Sequence, residues 1–123
     1  MMWTEELFGV KKPIIALLHL RALPGDPDFC GDINQVIRQA RADLHAFQDS
    51  KVDGVLIANE FSFPYQLKAD PVTVASMGYI VGQLKYDLKI PYGVNIVFNA
   101  LATLDLAAAT GAYFIRSAFT GTY

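Results

Sequence analysis

Lys12-Pro13-Ile14-Ile15-Ala16-Leu17-Leu18-His19-Leu20-Arg21-Ala22-Leu23-Pro24-Gly25-Asp26-Pro27 is the stretch on which the fold turns. A short apolar run breaks abruptly into a segment carrying His19, Arg21, two prolines and a glycine. A run of this length bounded by turn residues reads as a strand buried on both faces, as in parallel sheets. Its polar residues begin where the strand ends. In α/β folds, the carboxyl ends of parallel strands are where sites are built.

Three later segments repeat the pattern. Val52-Asp53-Gly54-Val55-Leu56-Ile57-Ala58 reads as a second buried strand and runs into Asn59-Glu60 and an aromatic, proline-bearing loop, Phe61-Ser62-Phe63-Pro64-Tyr65. The third strand is expected over 92–98, followed by Asn99, and the fourth over 112–116. Helices fill the intervals. Asp32 is a candidate N-cap with Gln35 at the capping-box position, and Ile33, Val36, Ile37, Ala40, Leu44 and Phe47 form an apolar stripe over about 33–49. Asp70-Pro71 starts the next helix with proline at its first position, and Lys85 and Lys89 suit the negative end of its dipole. An alanine-rich helix over about 100–110 stops at Gly111. Residues 1–11 form a short amphipathic lead-in, with Trp3, Leu7 and Phe8 on one side.

Strict alternation of strands and helices implies a parallel sheet with right-handed crossovers. Two architectures fit: an open doubly wound sheet, or half of an eight-stranded barrel, which takes about 250 residues. The glycine-rich phosphate fingerprint of a dinucleotide fold is absent after the first strand.

Composition narrows the classes. The 123 residues make one domain or part of one, 53% hydrophobic and 18% charged, well away from a disordered composition. A net charge of −2 gives no basic surface for nucleic acid. The acidic start, Met1-Met2-Trp3-Thr4-Glu5-Glu6, lacks the basic region of a signal peptide, and no apolar run approaches the roughly 18 residues that span a bilayer. A single cysteine, Cys30, forms no internal disulfide and fits a reducing compartment. The expectation is a cytoplasmic protein with no membrane insertion.

The site candidates are strand-end residues. His19, by residue type, suits a general acid or base, or else hydrogen-bonds the Pro24-Gly25 turn. Glu60 is its candidate catalytic partner, or a loop carboxylate. Asn59 either orients a substrate hydroxyl or holds its turn. Asn95 sits inside an apolar strand, where a buried amide needs partners and suits substrate oxygens. Asn99 either contacts the ligand or caps the third helix of the repeat. Arg116 suits a substrate carboxylate or phosphate, or a structural ion pair with Glu60. No cofactor is expected. His19 and Glu60 with an asparagine oxygen form a weaker candidate for a divalent metal, unsupported by any tight ligand spacing. Cys30 has no activating base near it in sequence. His45 falls on the solvent-side border of its helix, and Phe61, Phe63 and Tyr65 either close over a ligand or, the simpler role, pack on the neighbouring loop.

Five blocks in order then carry a resemblance: Lys12–Ile15 through His19–Gly25; Asp53–Leu56 with Asn59–Ser62 and Pro64–Tyr65; Gly93-Val94-Asn95; Ala107–Ala112; and Phe114-Ile115-Arg116. Together they resemble the BtpA family, and within it the SgcQ-like branch, over essentially the whole chain. The resemblance implies a TIM barrel about twice this length. Residues 1–123 are then a single partial barrel domain holding strands one to four. It also implies either of two roles. One is an enzyme acting on a sugar, sugar phosphate or nucleoside-type small molecule, from the branch associated with sugar-uptake gene clusters. The other is a non-catalytic biogenesis or stability factor for a membrane complex such as photosystem I, from the cyanobacterial branch. The family pattern is more polar where this chain has Phe98-Asn99-Ala100, and it continues past Thr120-Gly121 into a segment bearing an Asp. Exposed barrel edges imply a homo-oligomer.

Overall fold

The computed structural model describes residues 2–117. Eight elements follow one another: α1 (Trp3–Phe8), β1 (Ile15–His19), α2 (Ile33–Asp49), β2 (Gly54–Ala58), α3 (Pro71–Leu84), β3 (Tyr92–Asn95), α4 (Ala100–Thr110) and β4 (Phe114–Ile115). The strands form one parallel sheet in the consecutive order β1-β2-β3-β4. A doubly wound sheet reverses its strand order and carries helices on both faces. The described strands show no reversal. Thr120-Gly121, after which the family pattern continues, lies outside the described residues.

Side chains alternate across a strand, so the register sorts the sheet into two faces. Ala16, Leu18, Val55, Ile57, Tyr92, Val94 and Ile115 pack in the core with Val36, Ile37, Ala40 and Leu44 of α2, Met77, Ile80, Val81 and Leu84 of α3, and Leu106 of α4. The other face carries two rows set by the pairing. Leu17, Leu56, Gly93 and Phe114 make one, and His19, Ala58 and Asn95 the next. β2 is buried throughout. β1 departs from the expected burial on both faces, because Leu17 is 46% exposed. The reason is position: β1 is an edge strand, and α2, α3 and α4 all cover the opposite face.

The face opposite α2, α3 and α4 is filled near the strands' start by α1. The Phe8 ring lies edge-on to Phe114 at 5.6 Å. A Cβ on Gly54 would stand 2.7 Å from the Phe8 ring, so glycine there makes room for that plug. Of the three residues expected on one side of the lead-in, Phe8 packs inward, while Trp3 is largely exposed.

Several ends differ from the sequence expectation. Asp32 caps α2 by accepting from the Asn34 amide at 2.9 Å, without a reciprocal bond from Gln35. α3 ends at Leu84, and the Lys85 ammonium donates to the Thr110 carbonyl at the end of α4, 2.8 Å away, serving a neighbouring helix's dipole. β3 stops at Asn95, three residues early. There the Ile96 and Val97 amides turn to side chains, the Thr103 hydroxyl at 2.9 Å and the Asn59 carboxamide oxygen at 2.8 Å, and Phe98 takes a left-handed φ of 64°. β4 shortens to Phe114–Ile115.

One polar knot ties α2 to the segment after α3. Asp87 accepts from Arg41 Nε and His45 Nε2, each at 2.8 Å, and its carbonyl accepts from Gln48 at 3.1 Å. The hydrogen bond from His45, aided by the Arg41 charge and opposed by desolvation, lowers the Asp87 pKa from its usual 3.8. A carboxylate depressed in the folded state stabilises above its unfolded pKa, and that contribution disappears as pH falls through the folded value. Asp87→Asn is therefore expected to flatten the acid limb of a stability profile taken by urea denaturation between about pH 5 and pH 2. An unchanged limb would mean that the knot contributes nothing.

Candidate functional site

The sheet brings four of the expected residues to one end of the face opposite α2, α3 and α4. His19 closes β1, Asn95 closes β3, and Ala58 stands between them in the same row. With strands about 4.8 Å apart, the two Cα atoms lie about 10 Å from each other. Ala58, between them, is fully buried. Glu60 follows Ala58 by two residues. Arg116 follows Phe114 by two, and its amide continues the ladder to the Val94 carbonyl at 3.4 Å.

The hydrogen bonds divide these groups. His19 Nε2 and Asn95 Oδ1 are both shielded from solvent and have no hydrogen-bond partner among the described residues. A buried polar atom left in that state costs about 1–3 kcal/mol. Arg116 Nη2 donates to Glu60 Oε1 at 2.7 Å, the ion pair weighed above against anion binding. Tyr65 completes the rim by donating to the Glu60 carbonyl at 2.7 Å and standing 3.2 Å from Oε2. Partial burial, with the Glu60 carboxylate alongside, raises the Tyr65 pKa above its usual 10.0.

Asn59 and Asn99 are spent on backbone. Asn59 accepts from Val97 and so fixes the turn after β3. The Asn99 oxygen accepts from the Ala69 amide at 2.6 Å, and its nitrogen donates to the Gln66 and Val97 carbonyls at 2.9 and 2.8 Å. These two amides hold the loops after β2 and β3 together and do not join the His19–Asn95 row. Asn99 does precede α4, but its side chain forms no cap hydrogen bond to that helix.

Phe61, and Arg21, which the sequence left without a role, stand beside the row. Phe61 lies edge-on to the His19 ring at 6.1 Å, and the Arg21 guanidinium sits 5.4 Å from the Phe61 ring centroid. Phe63, Tyr65 and Phe98 continue as an aromatic chain, with neighbouring ring centroids 5.0 and 5.6 Å apart. A cleft of about 430 Å³ opens next to Phe61, lined by Arg21, Asp28, Gln35, Gln39, Phe61 and Phe63 among others. The signal in the sequence was Arg21 two residues after His19, on the same side of an extended chain. No group of three His, Cys, Asp or Glu side chains suited to a metal occurs among the described residues, and no described helix is long and apolar enough to cross a membrane.

These features define a class: a parallel β/α-repeat protein with polar side chains gathered at the carboxyl ends of its strands. Comparison with known proteins then places it. The sequence matches the model of the BtpA family over residues 10–123, and the chain belongs to that family. It is 51% identical to the sgc region protein SgcQ of Escherichia coli K12, over all of this chain and 47% of that protein. It is 33% identical to the photosystem I biogenesis protein BtpA of Synechocystis, over 90% of this chain and 39% of that protein. An uncharacterized protein of Pyrococcus horikoshii is 31% identical over 85% of the chain and 41% of its own length. The chain thus spans less than half the length of these relatives. No solved structure matches it significantly.

Proposed function

We propose that the chain provides one wall of a (β/α)8 barrel whose strand-end face binds a sugar, sugar phosphate or nucleoside-type molecule and acts on it as an enzyme. The observation that carries this reading is the pair of buried, unpartnered polar atoms, His19 Nε2 and Asn95 Oδ1, in one row of the sheet. Two hydroxyls of a polyol satisfy both, and rotation of the exposed Phe61 and half-exposed Arg116 side chains opens the way to them. His19 then serves as general acid or base. Glu60, held by Arg116 and Tyr65, is its partner carboxylate, while Asn59 and Asn99 position the loops. Support for the barrel comes from the consecutive strand order and the single helical layer, which match a barrel wall. Relatives of about twice this length have room for four further units.

The test is calorimetric titration with ribose. His19→Ala is expected to keep the fold and weaken binding by about a hundredfold, as for a lost buried contact of about 2–3 kcal/mol. Unchanged affinity in a folded variant would remove His19 from the site.

The outer edges of β1 and β4 carry unpaired backbone groups in the described sheet, and a second copy of the chain is proposed to cover them. Light scattering is expected to give twice the 13.5 kDa chain mass. A monomer at high concentration would contradict that closure.

A second reading, a non-catalytic assembly factor, draws on the name of the Synechocystis relative and on Leu67, Phe98 and Leu101, which are exposed around one surface hollow. The ribose titration separates the two, because an assembly factor has no use for the His19–Asn95 pair.

A further inference from the structure

Two guanidinium groups stand at the strand ends, and their situations differ. Arg116 is neutralised by Glu60 at 2.7 Å. Arg21 forms no ion pair among the described residues, and its guanidinium lies against the Phe61 ring at the edge of the 430 Å³ cleft. Its neighbours in sequence, Leu20 and Ala22, are only 1% and 8% exposed, so the backbone that presents Arg21 is anchored on both sides. The same Phe61 ring lies edge-on to His19, 6.1 Å between ring centroids, so one side chain joins the cleft to the row.

We infer that this cleft takes the anionic group of the ligand, a phosphate or a carboxylate, with Arg21 as its cation. The inference rests on the reading of His19 and Asn95 as a hydroxyl-binding pair. The planar guanidinium of an arginine carries a fork of donors that matches either anion with two parallel hydrogen bonds. The lining sets the direction. Gln35 and Gln39 lie one turn apart on α2. One N–H of the Gln39 amide is bonded to Asp43 at 3.0 Å, so the Gln35 amide offers its full pair of donors toward the cleft and Gln39 at most one. Asp28 lines the same cleft and repels an anion from its own side, so the charged group sits between Arg21 and Gln35 and a hydroxyl faces Asp28. The ligand this describes is a polyol bearing one terminal anion: hydroxyls at His19 and Asn95, the charge at Arg21.

Nuclear magnetic resonance titration of the full chain tests this with ribose, ribose 5-phosphate, ribonate and inorganic phosphate as probes. Ribose 5-phosphate or ribonate is expected to bind at least about tenfold more tightly than ribose. Whichever shows the gain names the anion as phosphate or carboxylate. Arg21→Gln should abolish the gain, Arg21→Lys should retain part of it, and Arg38→Gln, the same change on the outer side of α2, should leave it intact. Equal affinities for ribose and both anionic sugars would overturn the inference while leaving the hydroxyl pair standing. Equal losses in Arg21→Gln and Arg38→Gln would also overturn it, since the gain would then be general charge attraction. Inorganic phosphate shifting the Arg21 and Gln35 signals with no ribose binding would uphold the cleft and remove the hydroxyl pair.

Discussion

Gly93→Ala is expected to lower the stability of the chain by about 1–3 kcal/mol, the usual cost of forcing atoms into a filled space. Gly93 lies in the row that runs from Leu17 through Leu56 to Phe114. A Cβ at this position would stand 2.8 Å from the Phe114 carbonyl oxygen, with the edge of the Phe114 ring closer still. The ring has nowhere simple to go, because Phe8 packs edge-on to it from α1. The carbonyl belongs to the backbone of β4. Relief therefore means separating β4 from β3 or displacing the α1 plug. Thermal unfolding should show a midpoint lower by about 4 °C for each kcal/mol lost. Gly82→Ala is the matched control. It sits inside α3, where an added Cβ meets nothing within 4 Å. There the same methyl should stabilise by about 0.5–1 kcal/mol through helix propensity. Two changes of the same sign would contradict the packing described for the face opposite α2, α3 and α4.

Asn99→Ala carries the second large effect, about 2–4 kcal/mol from three hydrogen bonds worth about 0.5–1.5 kcal/mol each. The Ala69 amide and the Gln66 and Val97 carbonyls lose their partner together. The loop entering α3 then loosens from the turn after β3. Hydrogen exchange at the Ala69 amide should quicken in step with the lost stability, since that amide is the donor released. A variant with unchanged unfolding but weaker ribose binding would give Asn99 the opposite role, at the ligand.

The order of elements was readable because short apolar runs and helical spacings alternate cleanly and each interval carries its own punctuation. Asp70-Pro71 does open α3, and Gly111, with a left-handed φ of 76°, does end α4. The strand ends were less legible. Ile96-Val97-Phe98 continues the apolar run of β3, and nothing local shows that Asn59 and Thr103, 38 and 7 residues away, take the amides that a ladder would use. The exposure of β1 was likewise hidden. An apolar run reads the same whether its second face meets helices or stands at an open sheet face. Strand-end logic did bring His19, Glu60, Asn95 and Arg116 to one end of the sheet. Type alone could not separate Asn95, with its oxygen unpartnered, from Asn59 and Asn99, which are bound to backbone. Nor could it show that Phe61 links His19 to Arg21, because that contact joins segments forty residues apart.

The central claim is that His19 Nε2 and Asn95 Oδ1 form the two ends of a hydroxyl-binding site. A crystal structure of the chain soaked with ribose tests it most directly. The account predicts sugar hydroxyl oxygens within about 3.2 Å of both atoms, above Ala58, with the Phe61 ring turned aside. Sugar bound elsewhere, with the His19–Asn95 row still closed beneath Phe61 and Arg116, would contradict it.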